Sequence, residues 1–311
     1  MTSILLSLPT ELLEQILGIV IAVHPIPAHV LVLNKFIFAI ASRILYQHLD
    51  FSSTSAMARF PPIIWGSETL RKPNSIAVRL SGGEVGQGAF RQIRRLFEST
   101  RFQGVTESDN LELEDLHLCM HSTSDGDADD QNLSALELVN PQRFKWTGPD
   151  PAHHFSIAIV APAVDVLFAH FRTWTRLQDL HLSNIAFPGD TKGLFPILPT
   201  LRTLYIGRAT LVPVAPLARL LCNPQMSLLT TVRLVDCYVE SIWGPRLRRI
   251  DLEYAVVQFH TPRGKLLDEE AEQSRRRCAE ILDRMRTVVR CEALTERIIG
   301  GDRVDGLGVF E

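Results

Sequence analysis

The sequence has few cysteines and little net charge. Its 311 residues include five cysteines, and the formal net charge is −3. A charge this small provides no electrostatic argument for a nucleic acid or an anionic membrane surface, and we predict neither partner. The cysteines are odd in number, lie far apart and form no C-x-x-C pair. They predict reduced thiols in the cytoplasm or the nucleus.

The sequence also lacks an apolar run long enough to cross a membrane. Ile16–Val23 is the longest apolar stretch near the N-terminus, and His24 and Pro25 follow it directly. A membrane span needs about 20 predominantly apolar residues. No basic residue precedes this stretch, and Glu11 and Glu14 lie close to it, so a secretory signal is not expected.

The motif for a bound nucleotide is incomplete. Gly83 and Gly88 have the spacing of a phosphate-binding loop and lie between a predicted strand and a predicted helix. Ala89 and Phe90 follow, where such a loop carries the Lys that reaches the phosphates and the hydroxyl that holds magnesium. We predict a strand-to-helix turn without a cofactor.

An acidic segment imitates a calcium loop without completing it. Asp125, Asp127 and Asp129 stand at alternate positions, as the ligands of such a loop do. Asp130 occupies the position where glycine makes the turn, and Leu136 occupies that of the bidentate Glu. We predict an exposed acidic insertion and no metal site.

No catalytic arrangement emerges from the sequence. His117, Cys119 and His121 alternate along a predicted strand, but no further ligand lies near them in the sequence. The motifs G-x-S-x-G, H-E-x-x-H and H-x-E…C-x-x-C, which mark hydrolases, metalloproteases and deaminases, do not occur. We predict no catalytic residues and a function that is not enzymatic.

The N-terminal segment is unusually apolar for a short helical unit. Leu12, Leu13, Ile16, Leu17 and Val20 recur at helical spacing and form one wide stripe. One or two further helices are predicted after the His-Pro break. Three short helices cannot bury this much apolar surface among themselves, so a partner is implied. That partner is either another protein or the rest of this chain.

The residues of this segment resemble those of the F-box family, including fungal F-box proteins. The resemblance covers Leu5–Phe51 and rests on “LPTELLEQIL” and “VLVLNKFIFAIASRILYQHL”. Asn34 stands where Cys or Ser is common in the family, and Ile37 stands where Trp is frequent. The matching positions are Leu8, Pro9, Glu11, Leu12, Ile16, Leu17, Leu33, Lys35, Ile40, Leu45 and Tyr46.

The resemblance implies a three-helix domain that binds a Skp-type adaptor and, through it, a cullin. The rest of the chain would then present an unknown protein substrate to a ubiquitin ligase. The adaptor-binding residues that the resemblance implies are Leu8, Pro9, Glu11, Leu12, Ile16, Leu17, Leu33 and Lys35.

The remainder of the chain alternates between predicted strands and helices, which is typical of an α/β fold. Strands are predicted at Ser75–Gly82, Leu116–Leu118, Phe144–Trp146, Leu180–Leu182, Leu204–Ile206 and Val232–Leu234, with a possible final strand at “LRRIDLEYA”. Helices are predicted at Ala89–Thr100, “QNLSALELV”, “PAVDVLFAHFRTW” and “PLARLLC”. Helical crossovers between successive strands predict one largely parallel sheet.

Several strands share the pattern L-x-x-L-x-L. It occurs at Leu113–Leu118, Leu177–Leu182 and Leu201–Ile206, with weaker copies at Leu229–Leu234 and Leu247–Leu252. Units of this kind have apolar faces that only a neighbouring unit can cover. The pattern resembles an irregular leucine-rich-repeat array. The alternative is an ordinary α/β domain with leucine-rich strands.

The predicted organisation has five segments. They are an F-box-like helical domain at 1–51, a connection at 52–74, a repeat-like α/β domain at 75–260, a C-terminal helix at 261–299 and a loose tail at 300–311.

Three functions are open at this stage. The first is a substrate-recruiting F-box subunit. The second is a scaffold whose N-terminal helices only cap the repeats. The third is an α/β enzyme whose site is assembled from distant residues such as His181, Asp179 and the Gly82–Gly88 loop. Exposed N-terminal aliphatic side chains would favour the first, and their burial against the repeats would favour the second.

Overall fold

The chain is an α/β protein built around one nine-stranded sheet. It is seen in a computed structural model that describes residues 8–60, 72–80, 88–100, 110–122, 133–151, 155–189, 195–261, 268–299 and 302–310. The strands are β1 (His48–Phe51), β2 (Ser75–Arg79), β3 (Leu111–Cys119), β4 (Val139–Thr147), β5 (Asp179–Ser183), β6 (Thr203–Ala209), β7 (Thr231–Cys237), β8 (Val289–Ala293), β9 (Arg297–Ile299), β10 (Asp302–Asp305) and β11 (Gly308–Phe310).

The strands of the sheet follow one another in space in the same order as in the chain. Strands β1 to β8 lie side by side in chain order, and every neighbouring pair among them is parallel. Strand β11 pairs antiparallel with β8, while β9 and β10 form a separate hairpin. The five strands predicted to lie in one parallel sheet, from Leu116–Leu118 to Val232–Leu234, are therefore confirmed as β3 to β7.

Nine α-helices occur in the described ranges, and those after β2 cover one face of the sheet. The helices are α1 (Thr10–Val23), α2 (Ala28–Leu31), α3 (Lys35–Gln47), α4 (Thr54–Arg59), α5 (Ala89–Thr100), α6 (Ala161–Phe171), α7 (Val214–Cys222), α8 (Arg249–His260) and α9 (Asp268–Val288). Short 3₁₀ helices lie at Ser134–Leu138, where a longer helix was predicted, and at Pro224–Met226.

Alternation along the strands separates a buried face from an open one. Leu116, Phe144, Leu180, Leu204 and Val232 are in register across β3 to β7, and each is at most 4% exposed. They belong to the same core as the apolar residues of α5 to α8. The residues between them point to the other face, which carries charged and polar side chains.

The L-x-x-L-x-L pattern corresponds to a recurring backbone geometry. In the copies on β5, β6 and β7, the second residue after the last apolar position has a left-handed conformation. These residues are Asn184 (φ 62°), Arg208 (φ 48°) and Asp236 (φ 50°). Positive φ is uncommon for residues other than glycine. Its recurrence at the same position of the pattern indicates that the three copies are structurally equivalent.

The fifth copy of the pattern is not a strand. Arg249–His260 forms helix α8, because the backbone N–H of Arg248 donates to the Asp251 carboxylate at 2.8 Å and begins a helix there. The predicted final strand at “LRRIDLEYA” is therefore wrong. Leu252 and Val256 still reach the core, but from a helix.

The C-terminal region also differs from the prediction. Helix α9 ends at Val288, and Val289–Ala293 forms strand β8, in which buried and accessible residues alternate. Part of the predicted loose tail forms β10 and β11. The sheet thus extends on both sides of 75–260, since β1 pairs with β2 and β8 pairs with β7.

A buried ion pair ties this C-terminal region to the sheet. Arg246 and Asp236 are each 2% exposed at their side chains and approach to 3.3 Å. The Asp236 carboxylate accepts from the backbone N–H groups of Leu294 and Thr295, while Arg246 donates to the carbonyl oxygens of Thr295 and Gly306. Each charge is thereby compensated, as burial requires.

Four aromatic rings fill the centre of the main core. Phe144 lies 5.0 Å from Trp174, 5.6 Å from Phe171 and 6.3 Å from Trp146, between ring centroids. The indole N–H of Trp146 donates to the Met120 carbonyl at 2.9 Å, so this buried polar group is satisfied.

We expect Phe144→Ala to lower the free energy of unfolding by about 3–5 kcal/mol, because it leaves a cavity among these rings. The neighbouring Lys145 points to the open face, and Lys145→Ala is the matched control, with an expected change below about 0.5 kcal/mol. Urea denaturation measures both. Equal effects of the two substitutions would contradict a sheet that is buried on one face only.

Candidate functional site

The three N-terminal helices have a small core of their own. It contains Leu13 and Leu17 of α1, Val30 of α2, and Ile37 and Ile40 of α3, together with Ala41, and it is separate from the core of the sheet. Arg43 of α3 donates to Glu14 of α1 at 2.7 Å. The Asn34 side chain accepts from the Ile37 N–H at 2.8 Å and begins α3.

Helix α1 carries a second apolar stripe that faces away from this core. Leu12, Ile16, Ile19 and Val23 follow at helical spacing and are 46%, 37%, 66% and 75% exposed. Leu33 and Phe36 add exposed apolar surface at 65% and 47%. We call these six residues the N-terminal apolar surface.

The predicted adaptor-binding residues divide between this surface and the small core. Pro9, Glu11, Leu12, Ile16, Leu33 and Lys35 are exposed, and Leu8 is half-buried. Leu17 is 3% exposed, so it packs inside the helical unit and is not available for contact with a partner. The reason is geometric: α1 has apolar residues on two sides, and Leu17 lies on the inner one.

The sequence analysis missed part of the N-terminal apolar surface. Ile19, Val23 and Phe36 were not singled out. The first two continue the helical spacing of Leu12 and Ile16, so the signal was present in the periodicity.

The second candidate site is the open face of the sheet. A groove of about 540 Å³ runs across β2 to β7 on this face. Its central row has one side chain from each of the strands β3 to β7, in register: His117, Lys145, His181, Tyr205 and Arg233. Sequence reasoning singled out only the two histidines and did not assign the row to one face.

Three arginines of the groove are already paired with carboxylates. Arg143 binds Asp115 through two hydrogen bonds. Arg233 binds Glu292 at 2.7 Å through two hydrogen bonds in the same way. Arg79 lies 2.8 Å from Asp50.

Lys145 and Asp179 differ from these arginines. Neither side chain forms a hydrogen bond or an ion pair with another residue that the structure describes. The pKa of Arg143 is raised mainly by its hydrogen bond with Asp115 and, to a smaller extent, by the charge of Asp179. Lys145 is exposed and Asp179 is half-buried. The groove therefore offers one cation and one anion that have no direct ion pair among the described residues.

An aromatic stack borders Lys145. The rings of His181 and Tyr205 are 3.9 Å apart between centroids and inclined by 17°. His181 Nε2 lies 3.0 Å from Ser183 Oγ. Gly207 is required here because a Cβ on it would lie 2.6 Å from the Tyr205 ring. The absence of a side chain at Gly207 thus leaves room for the stacked rings.

Both histidines of the central row are neutral at pH 7. Burial, followed by the charge of Lys145, lowers the pKa of His117 from 6.5 to about 4. Burial lowers the pKa of His181 to about 4 as well, with smaller contributions from Lys145, His117 and Arg233. The groove thus gains polar ring nitrogens without additional positive charge.

The hypothesis of an assembled enzyme site has limited geometric support. His181 and Asp179 lie two residues apart on the open face of β5, and Ser183 is within hydrogen-bonding distance of His181. The Gly82–Gly88 loop lies outside the described residues except for Gly88. The acidic segment at Asp125–Asp130 also lies outside them.

The cysteines offer no activated nucleophile among the groups with a shifted pKa. Burial raises the pKa of Cys222 to about 11 and that of Cys291 to about 12. Burial also raises the pKa of Cys237, which lies inside the core. Such thiols stay protonated at pH 7, and a protonated thiol is a poor nucleophile.

Within the described ranges, no three His, Cys, Asp or Glu side chains come together as a metal site. Over the same part of the chain, no helix combines the length and apolarity needed to cross a membrane.

Comparisons with known proteins give no relative for this chain: no family model, no curated protein and no solved structure matches it.

We expect the imidazoles of His117 and His181 to titrate near pH 4, which NMR can follow. Lys145→Met should raise both pKa values, because it removes a neighbouring positive charge. In the unfolded chain these groups bind protons near pH 6.5. The free energy of unfolding should therefore fall as the pH is lowered from 6.5 to 4. Midpoints near 6.5 in the folded protein would contradict the geometry of this row.

Proposed function

We propose that this protein is a substrate-recruiting F-box subunit of a Skp–cullin–RING ubiquitin ligase. In this proposal the N-terminal apolar surface binds the Skp-type adaptor, and the open face of the sheet binds a protein substrate. The protein would act in the cytoplasm or the nucleus, where such complexes work.

The observation that carries the proposal is the outward stripe on α1. Leu13 and Leu17 complete the small core, yet Leu12, Ile16, Ile19 and Val23 remain exposed. Contiguous exposed apolar surface of this kind marks interaction sites in soluble proteins. The stripe lies in the segment that resembles the F-box, and its first two members are positions where that resemblance implies adaptor contact.

The scaffold alternative predicts a different packing of α1. If the helices only capped the repeats, their outer stripe should pack against the sheet or its helices. Among the described residues, the partly buried apolar side chains that pack on the main core include Tyr46, near the end of α3, but none from α1. This favours a partner outside the chain.

The repeat-like character of the second half supports a recruiting role. The left-handed residues at Asn184, Arg208 and Asp236 recur at equivalent positions, which is consistent with an irregular leucine-rich-repeat array. Stacked repeats of this kind present broad surfaces to protein partners.

We expect the double substitution Leu12→Asp and Ile16→Asp to abolish capture by a Skp-type adaptor. Each uncompensated charge in a desolvated interface costs several kcal/mol, and 1.4 kcal/mol is about tenfold in affinity. Because both side chains are exposed in the free protein, the melting temperature should change little. Pull-down with purified adaptor and thermal melting measure the two effects.

Thr10→Asp with Gln15→Asp is the matched control. Both residues are exposed on α1 outside the stripe, and the pair adds the same charge. This control should retain adaptor capture. Failure of the native protein to bind adaptor, or equal binding by the stripe variant and the control, would refute the proposed function.

A further inference from the structure

The open face holds two charges of opposite sign that form no direct ion pair among the described residues. Lys145 stands at the centre of the groove, between His117 and His181 in the central row. Asp179 lies on β5, two residues before His181 on the same face. Neither charge has an ion-pair partner among the described residues, whereas Arg79, Arg143 and Arg233 each have one.

Lys145 and Asp179 form no ion pair with each other, although they are diagonal neighbours on adjacent strands. Lys145 is the register partner of His181, and Asp179 is the partner of Arg143. One strand spacing is about 4.8 Å and two residues along a strand span about 6.6 Å, so the two Cα atoms are about 8 Å apart. One ligand can span the distance between the two charges.

An extended peptide has the matching geometry. Its alternate side chains point the same way and lie about 6.6 Å apart, so residues i and i+2 can meet both charges together. The groove volume of about 540 Å³ accommodates a few side chains. The stacked rings of His181 and Tyr205 provide an apolar flank beside the charged contacts.

We infer that the open face binds an extended peptide segment whose acidic side chain pairs with Lys145 and whose basic side chain, two positions away, pairs with Asp179. The inference rests on the proposed function, since it names the class of substrate that the recruiting face would accept.

A carboxylate suits Lys145 better than a phosphate does. Phosphate is held best by the bidentate forks of arginines, and the forks of Arg143 and Arg233 are each engaged by a carboxylate. One ammonium group complements one negative charge. A second negative charge at the neighbouring position would be repelled by Asp179.

The test begins with a displayed library of random seven-residue peptides, selected on the full-length protein. Enriched peptides should share an acidic and a basic residue two positions apart. For a synthetic peptide from this selection, Lys145→Met in the protein and Glu→Gln in the peptide should each weaken binding about tenfold or more. Together they should weaken it no further than either alone, because they remove the same contact.

Asp179→Asn in the protein and replacement of the basic residue in the peptide should likewise each weaken binding about tenfold or more. The two changes together should weaken it no further than either alone. Arg172→Met is the control, because it removes an exposed cation at the end of α6, a helix of the covered face. It should leave peptide affinity unchanged. Lys145→Glu should accept a peptide that carries Lys in place of its acidic residue.

Three outcomes would overturn the inference: no enriched peptide, enriched peptides without the charge pair, or full binding by Lys145→Met. Replacement of the peptide's acidic residue by phosphoserine tests whether Lys145 prefers a phosphate. If the phosphopeptide binds about tenfold more tightly than the carboxylate peptide, the assignment to a carboxylate is wrong. Adaptor capture is measured on the same proteins. If the unmodified protein does not bind the adaptor, the proposed function is refuted. The peptide-binding measurements test the present inference separately.

Discussion

One-sided burial of the sheet is the constraint on which the rest of the structure depends. Among the described residues, the helices that connect the parallel strands pack on the face that carries Leu116, Phe144, Leu180, Leu204 and Val232. A parallel sheet in most α/β proteins is covered on both faces. Here the second face stays open in the described part of the chain, so its side chains are polar and available for binding. The groove is a direct consequence of this asymmetry.

The ends of the sheet show how the open arrangement is stabilised. At one end, α3 leads directly into β1, which places the helical unit beside the first strand. At the other end, β11 covers the edge of β8, and the buried Asp236–Arg246 pair holds the following segment. An uncovered edge strand would offer unpaired backbone groups to other chains.

The helical unit at the N-terminus buries only part of its apolar surface. Its small core uses only the inner side of α1, because so few residues cannot enclose apolar side chains on every side. The outer side keeps Leu12 and Ile16 in contact with solvent. Exposed apolar surface on a stable helical unit and unpaired charges on a rigid sheet are two distinct types of interaction surface.

The sequence by itself determined the elements whose signal is local. Strands β3 to β7, their parallel order and the leucines of their core follow from alternation, from helical periodicity and from the rule that parallel strands need crossovers. Only the tertiary structure decided which of two apolar sides a residue occupies: Leu17 is inside while Leu12 and Ile16 are outside. It also decided that Leu247–Leu252 enters a helix and that Val289–Ala293 enters the sheet. Finally, it left Lys145 and Asp179 without a direct ion pair among the described residues. Pairing depends on which side chains of neighbouring strands meet in space, and spacing along one chain does not contain that information.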